Sequence, residues 1–123
     1  MPSEQEDYCA IVESDEEISV CFYIEHDKPF HIGEKMTEIN EEAYMNGYNW
    51  EAFFNYYLSK YEPEIIDEME TDPEAGMYVA YYDLNPKNMA KAERFIKLIK
   101  HLMDNEEELY RIVREEADEI EWD

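Results

Sequence analysis

The sequence predicts an α+β fold: a small antiparallel β-sheet, made of an N-terminal hairpin plus a later strand, packed against several α-helices. Three observations predict it. Two short runs rich in β-branched and aromatic residues flank a polar turn near the N-terminus. A third such run lies far downstream, between helical segments. Most of the remainder places apolar residues at a helical period. The element order reads ββ–α–α–β–α–α, which puts the helices on one face of the sheet. With 123 residues, three Gly and five Pro, no internal repeat and no linker, the chain is expected to form a single domain over 1–123.

The first run is 8–13 (YCAIVE) and the second 18–24 (ISVCFYI), joined by Ser14-Asp15-Glu16-Glu17 as the turn. In the second run Ile18, Val20, Phe22 and Ile24 alternate toward a core. Pairing Cys9 opposite Cys21 puts both thiols on one face, and a one-residue slip separates them. In a reducing compartment two small buried or half-buried thiols are expected rather than a bridge. His26-Asp27-Lys28-Pro29 breaks the strand, Phe30-His31-Ile32 reads as a brief extended piece, and 36–45 carries a weak helical pattern.

Trp50, Phe53, Phe54, Tyr57, Leu58 and Tyr61 then form one apolar helical face, with Asn49 read as N-cap and Gly47 as the preceding bend. Pro63 opens a short helix carrying Ile65, Ile66 and Met69. Asp72 to Gly76 is a turn, and 77–82 (MYVAYY), free of charge on both faces, reads as a central strand. Asn85 caps the next helix with Pro86 in its first turn, and its apolar side runs Met89, Ala92, Ile96, Ile99, Met103. The last helix begins near Asn105, with Glu106, Glu107 and Glu108 suiting its positive end and Leu109, Ile112, Val113 and Ile120 facing inward.

Charge is the dominant compositional signal. Thirty-three carboxylates against ten Lys and Arg give a formal charge of −23, yet 45% of the residues are hydrophobic and 15% aromatic, unlike an acidic disordered tail. Such a surface repels nucleic acid and anionic lipid and attracts basic proteins. No apolar run approaches the roughly 18 residues of a membrane span. The acidic start MPSEQEDY lacks the basic and apolar regions of a secretory signal, so the cytoplasm is the expected location.

Chemistry is poorly supported. With so many carboxylates, spacings such as Glu38…Glu41 and Glu64…Asp67 arise by chance and do not nominate a catalytic dyad. G-x-S-x-G, H-E-x-x-H and a phosphate-cradling glycine loop are missing from the sequence. His26 and His31 with Asp27 match no zinc spacing, and 67–72 resembles a calcium loop in charge only. Neither an enzyme nor a metal or cofactor is expected.

Partner binding is better supported. Lys87, Lys91, Arg94, Lys97 and Lys100 place five of the ten basic residues on one helix, read as neutralising acidic neighbours. The segments 4–17, 62–74 and 104–123 carry seven, seven and ten carboxylates. Tyr44, Tyr48 and Tyr56 fall off the buried helical face and are available as contact aromatics. The expected contact set is Glu68, Glu70, Asp72 and Glu74, a carboxylate run beside a projecting turn, with Tyr48 as anchor. The C-terminal run 115–123 is the second choice.

The stretch Asn46-Gly47-Tyr48-Asn49-Trp50-Glu51, followed by Asp72-Pro73-Glu74-Ala75-Gly76-Met77-Tyr78-Val79-Ala80-Tyr81, resembles the immunity protein 51 family of bacterial polymorphic toxin systems. The resemblance implies a cytoplasmic antitoxin that binds a toxin domain and has no enzymatic activity. Many such toxins attack nucleic acid and so have basic active sites, which an anionic domain can occlude. A nuclease is therefore the expected target, with no direct nucleic-acid or membrane binding by this chain. The alternative reading is a nucleic-acid mimic acting on a DNA-binding protein, and a third is a carboxylate-dependent hydrolase.

Overall fold

The computed structural model describes residues 8–122. The acidic residues at 4, 6, 7 and 123, which the charge argument counts, lie outside them. Strand β1 (Cys9–Glu13) and β2 (Glu17–Tyr23) form the hairpin, closed by Ser14, whose N–H donates to the Glu17 carbonyl at 2.8 Å. Its register pairs Cys9 with Phe22 and Ala10 with Cys21. The two buried thiols therefore point to opposite faces of the sheet and are not joined in a disulfide.

Helix α1 (Asp27–Ile39) replaces both the extended piece predicted at 30–32 and the helix predicted at 36–45. Its buried face is Pro29, Ile32, Gly33 and Met36, an i, i+3, i+4, i+7 stripe that a Pro and a Gly conceal from a hydrophobic count. Pro29 is tolerated because first-turn N–H groups have no intrahelical acceptor. Gly33 lets the 40–46 loop approach, since a Cβ there would lie 3.0 Å from the Met45 Cβ.

Helix α2 (Gly47–Tyr61) buries Trp50, Phe53, Phe54, Tyr57 and Leu58 as the stripe predicts, but Tyr61 is exposed. Its N-cap is Asn46, not Asn49: the Asn46 side chain accepts from the Asn49 N–H at 2.9 Å. Asn49 is buried, and its amide donates to the Tyr44 carbonyl at 2.8 Å. Helix α3 (Pro63–Ile66) is a single turn, shorter than the segment to Met69 that the sequence suggested.

Strand β3 (Glu70–Thr71), absent from the sequence reading, pairs with β4 (Met77–Asp83). The sheet order is β1-β2-β4-β3, all antiparallel, so β4 is internal as expected. Helix α4 (Pro86–Asp104) is capped by Asn85, which accepts from the Asn88 N–H at 2.7 Å. Its buried face includes Phe95 and Leu102 in place of Met89 and Ile96, which are only partly buried. Helix α5 (Glu106–Glu115) buries Leu109, Tyr110, Ile112 and Val113, and Ile120 is buried just beyond a 3-10 turn at Ala117–Glu119.

The core lies between the sheet and α2 and α4. Strand alternation sends Ile18, Val20 and Phe22 of β2, with Tyr78, Ala80 and Tyr82 of β4, inward. Phe22 meets Trp50 edge-on at 5.0 Å between ring centroids, and Phe54 lies 5.1 Å from Tyr78 and 5.2 Å from Phe95. These rings lock strands and helices into one aromatic centre.

Candidate functional site

The acidic segment that follows α2 divides in two. Its first half is tied to α4 through Lys91 and Arg94, two of the five basic side chains on that helix. Arg94 bridges Glu62 at 2.7 Å and Glu64 at 2.9 Å. Lys91, only 6% exposed, donates to the Asp67 carbonyl at 2.9 Å, with the Asp67 carboxylate 3.6 Å away. A buried ammonium needs such acceptors, and its stem packs beneath them.

The second half is free of such ties. Among the described residues, ion pairing with α4 stops at Asp67, and Glu68, Glu70, Asp72 and Glu74 are all exposed. Glu68 turns the chain with φ of 65°, in the left-handed region, and starts the approach to the sheet. Glu70 then pairs with Tyr81, the Asp72 N–H donates to the Val79 carbonyl at 2.8 Å, and the Glu74 N–H donates to the Met77 carbonyl at 2.7 Å. Three of the four predicted acids therefore lie on one edge hairpin. Glu68 sits before it, at the bend.

Tyr48 reaches this hairpin through its neighbour. The Gly47 N–H donates to the Ala75 carbonyl at 3.1 Å, and a Cβ on Gly47 would fall 1.7 Å from the Glu74 carbonyl oxygen. Only glycine lets α2 start against the hairpin turn, so Tyr48, 40% exposed, is set beside it. The Thr71 hydroxyl also donates to the Glu51 carboxylate, a second tie between α2 and β3.

Tyr48 further lines a groove of about 330 Å³ with Glu51, Asn55, Tyr56, Glu119 and Glu121. The sequence reading did not single out Glu51 or Asn55, whose place depends on how α2 leans on β3. It named the C-terminal run separately, and the groove brings Glu119 and Glu121 of that run to Tyr48. Tyr44 is 67% exposed on the loop before α2. Tyr56, by contrast, is partly buried and spent internally: its hydroxyl donates to Glu116.

Among the described residues Glu116 is the one strongly perturbed carboxylate. The Tyr56 hydroxyl first, then Lys60 at 3.1 Å and Arg111 at 3.0 Å, hold its pKa down to about 2 against partial desolvation. The same contacts pin the end of α5 to α2. Glu116 acts as a structural clamp, ionised at neutral pH and accepting from each of these partners.

The histidines and Asp27 do not converge. His26 stacks on Tyr23 at 5.8 Å, Asp27 opens α1 and His31 is exposed on that helix. Among the described residues no group of three His, Cys, Asp or Glu side chains is placed to hold a metal ion. No helix among them is long and apolar enough to cross a membrane.

The described residues form a small α+β domain with an acidic, tyrosine-bearing edge. The family model described as Immunity protein 51 matches residues 9–118, and the chain belongs to that family. Its role is that of an immunity protein rather than an enzyme, and the family pairs such proteins with a cognate toxin. Neither the curated proteins nor the solved structures gave a match.

Proposed function

We propose that this immunity protein acts in the cytoplasm, neutralising a cognate toxin by direct binding to the toxin's basic surface, most simply that of a nuclease. The contact set is Glu68, Glu70, Asp72 and Glu74 with Tyr48 as anchor. One observation supports this reading: among the described residues, pairing with the basic helix ends at Asp67, leaving Glu68, Glu70, Asp72 and Glu74 exposed, the last at the turn on which Gly47, the neighbour of Tyr48, packs. An unneutralised anionic edge steers a basic partner, and an aromatic at its margin adds contact area at low entropic cost.

The test is association and dissociation rates against the toxin domain encoded beside this gene. The variant combines Glu68→Gln, Glu70→Gln, Asp72→Asn and Glu74→Gln, measured at two salt concentrations. Exposed charges act mainly on encounter, so association should slow and lose its salt dependence while dissociation changes less. Unaltered rates in a variant with an intact melting curve would overturn this contact set and turn attention to Glu119 and Glu121.

A further inference from the structure

Among the described residues, no helix makes a ring contact with the outer face of the sheet. Helix-to-sheet ring contacts fall on Phe22 and Tyr78, both inner-face residues. Outward point Ala10 and Val12 of β1, then Ser19, Cys21 and Tyr23 of β2, and Met77, Val79 and Tyr81 of β4. An antiparallel sheet with one wet face ordinarily alternates apolar-in with polar-out. Here the outward positions at the centre are mostly apolar or aromatic. Val12 is 51% exposed, and Ala10, Tyr23, Met77, Val79 and Tyr81 are half-buried.

The rim of this face is acidic. Glu17 and Asp83 pair at one end of the β2–β4 ladder, and Glu70 stands opposite Tyr81 on the edge strand. The carboxylate of Glu70, then partial desolvation, then Asp72 and Glu17, push the Tyr81 phenol above its ordinary pKa, which reports how closely those charges crowd it. None of the four strands contains a Lys, Arg or His. An apolar, aromatic centre inside a charged rim is the layout of a protein-binding interface.

Charge selects the occupant. A second copy of this chain would bring −23 against the same carboxylates. Residues 1–7 would bring Glu4, Glu6 and Asp7. A partner with Lys and Arg around an apolar patch meets the rim with opposite charge and the centre with matching surface.

The geometry points to the outer sheet face, centred on Tyr81 and Val79 and bordered by Glu17, Glu70, Asp72 and Asp83, as the main docking surface for a basic protein. This rests on the immunity reading above and places the bulk of the interface beside, not on, the Tyr48 edge. Glu70 and Asp72 belong to both surfaces. Tyr81 is the anchor, and losing it acts on dissociation.

The experiment uses the full chain and the catalytically disabled toxin domain encoded beside it, with binding and melting curves for Tyr81→Ala and Ser19→Arg. Ser19 lies between Val12 and Tyr81 across the strands, so an arginine there meets the acidic rim in the free protein and the basic surface in the complex. Each variant should weaken binding by about 30-fold or more, as loss of an interface hot spot does. If Tyr81→Ala fails to fold, Ser19→Arg decides. Wild-type affinity in folded variants overturns the assignment while leaving the immunity reading intact. A wild-type chain that does not bind the toxin domain overturns both. A concentration-dependent dimer broken by Ser19→Arg would mean that a second copy covers the face and would also overturn it.

Discussion

Glu116 and Trp50 illustrate how differently single residues hold this molecule. Glu116 is held by charge-assisted hydrogen bonds from Lys60 and Arg111 together with the Tyr56 hydroxyl, which lower its folded pKa to about 2. A carboxylate depressed on folding adds stability that is full above its unfolded pKa and fades as pH falls toward the folded one. The gap in melting temperature between wild type and Glu116→Gln should therefore be widest above about pH 5 and close toward about pH 2. A gap independent of pH would mean that shape rather than charge holds the clamp. Trp50 is fully buried against Phe22, Phe53 and Phe54, so it is core and not contact. Trp50→Ala should cost about 3–5 kcal/mol in urea denaturation, the penalty of a large aromatic cavity. Its place was readable because a strong i, i+3, i+4 stripe begins there. Glu116 was not readable, because Tyr56, Lys60 and Tyr61 of α2 and Arg111 of α5 meet on it only after folding.

Elements were legible where apolar period and punctuation agreed, and illegible where they conflicted. The N-terminal hairpin, α4 and the internal β4 carry both signals, and each stands within a residue or two of its sequence reading. Helix α1 hid because Pro29 and Gly33 occupy half of its buried stripe and read locally as breakers. Strand β3 hid because two residues carry no period, and its pairing is set by the turn at 72–77. The cap of α2 was misread by three residues because Asn46 and Asn49 both precede the aromatic face. The structure gives them different tasks, and their substitutions should differ accordingly. Asn46→Ala removes an N-cap and should cost about 1 kcal/mol. Asn49→Ala empties a buried site and removes the amide bond to the Tyr44 carbonyl, which keeps only the Asn46 N–H, and should cost about 1–2 kcal/mol and loosen the 40–46 loop. Denaturation midpoints for the two variants, with amide exchange across 40–46, check the order. Equal costs, with exchange unchanged in both, would leave Asn49 no more than a second cap.

For the whole molecule the question is which electrostatic effect wins, because added salt weakens attraction and repulsion alike. Among the described residues, Lys28, Lys35, Lys60, Lys91, Arg94 and Arg111, six of the ten basic side chains, hold carboxylates. Exposed pairs of this kind contribute about 0–1 kcal/mol each and lose part of that on screening. Against them stands the surplus of 23 negative charges on a domain of 14.9 kDa. Many of these charges lie within one screening length of one another at low salt, since that length is about 30 Å at 0.01 M and about 10 Å at 0.1 M. Repulsion sums over many pairs of like charge, whereas attraction is confined to a few contacts, so repulsion should set the sign. Net charge was legible at once in the sequence, but its sorting was not. Only the fold separates carboxylates spent on α4 and Glu116 from those left along the sheet edge and the groove. Thermal melts from 0.01 to 0.1 M sodium chloride should show the midpoint rising. The quadruple amide variant at Glu68, Glu70, Asp72 and Glu74 should start higher and rise less, because it removes charges that form no ion pair among the described residues. A flat or falling midpoint in the wild type would mean that internal pairing already balances the surplus, and would leave too little free anionic field to steer a basic partner.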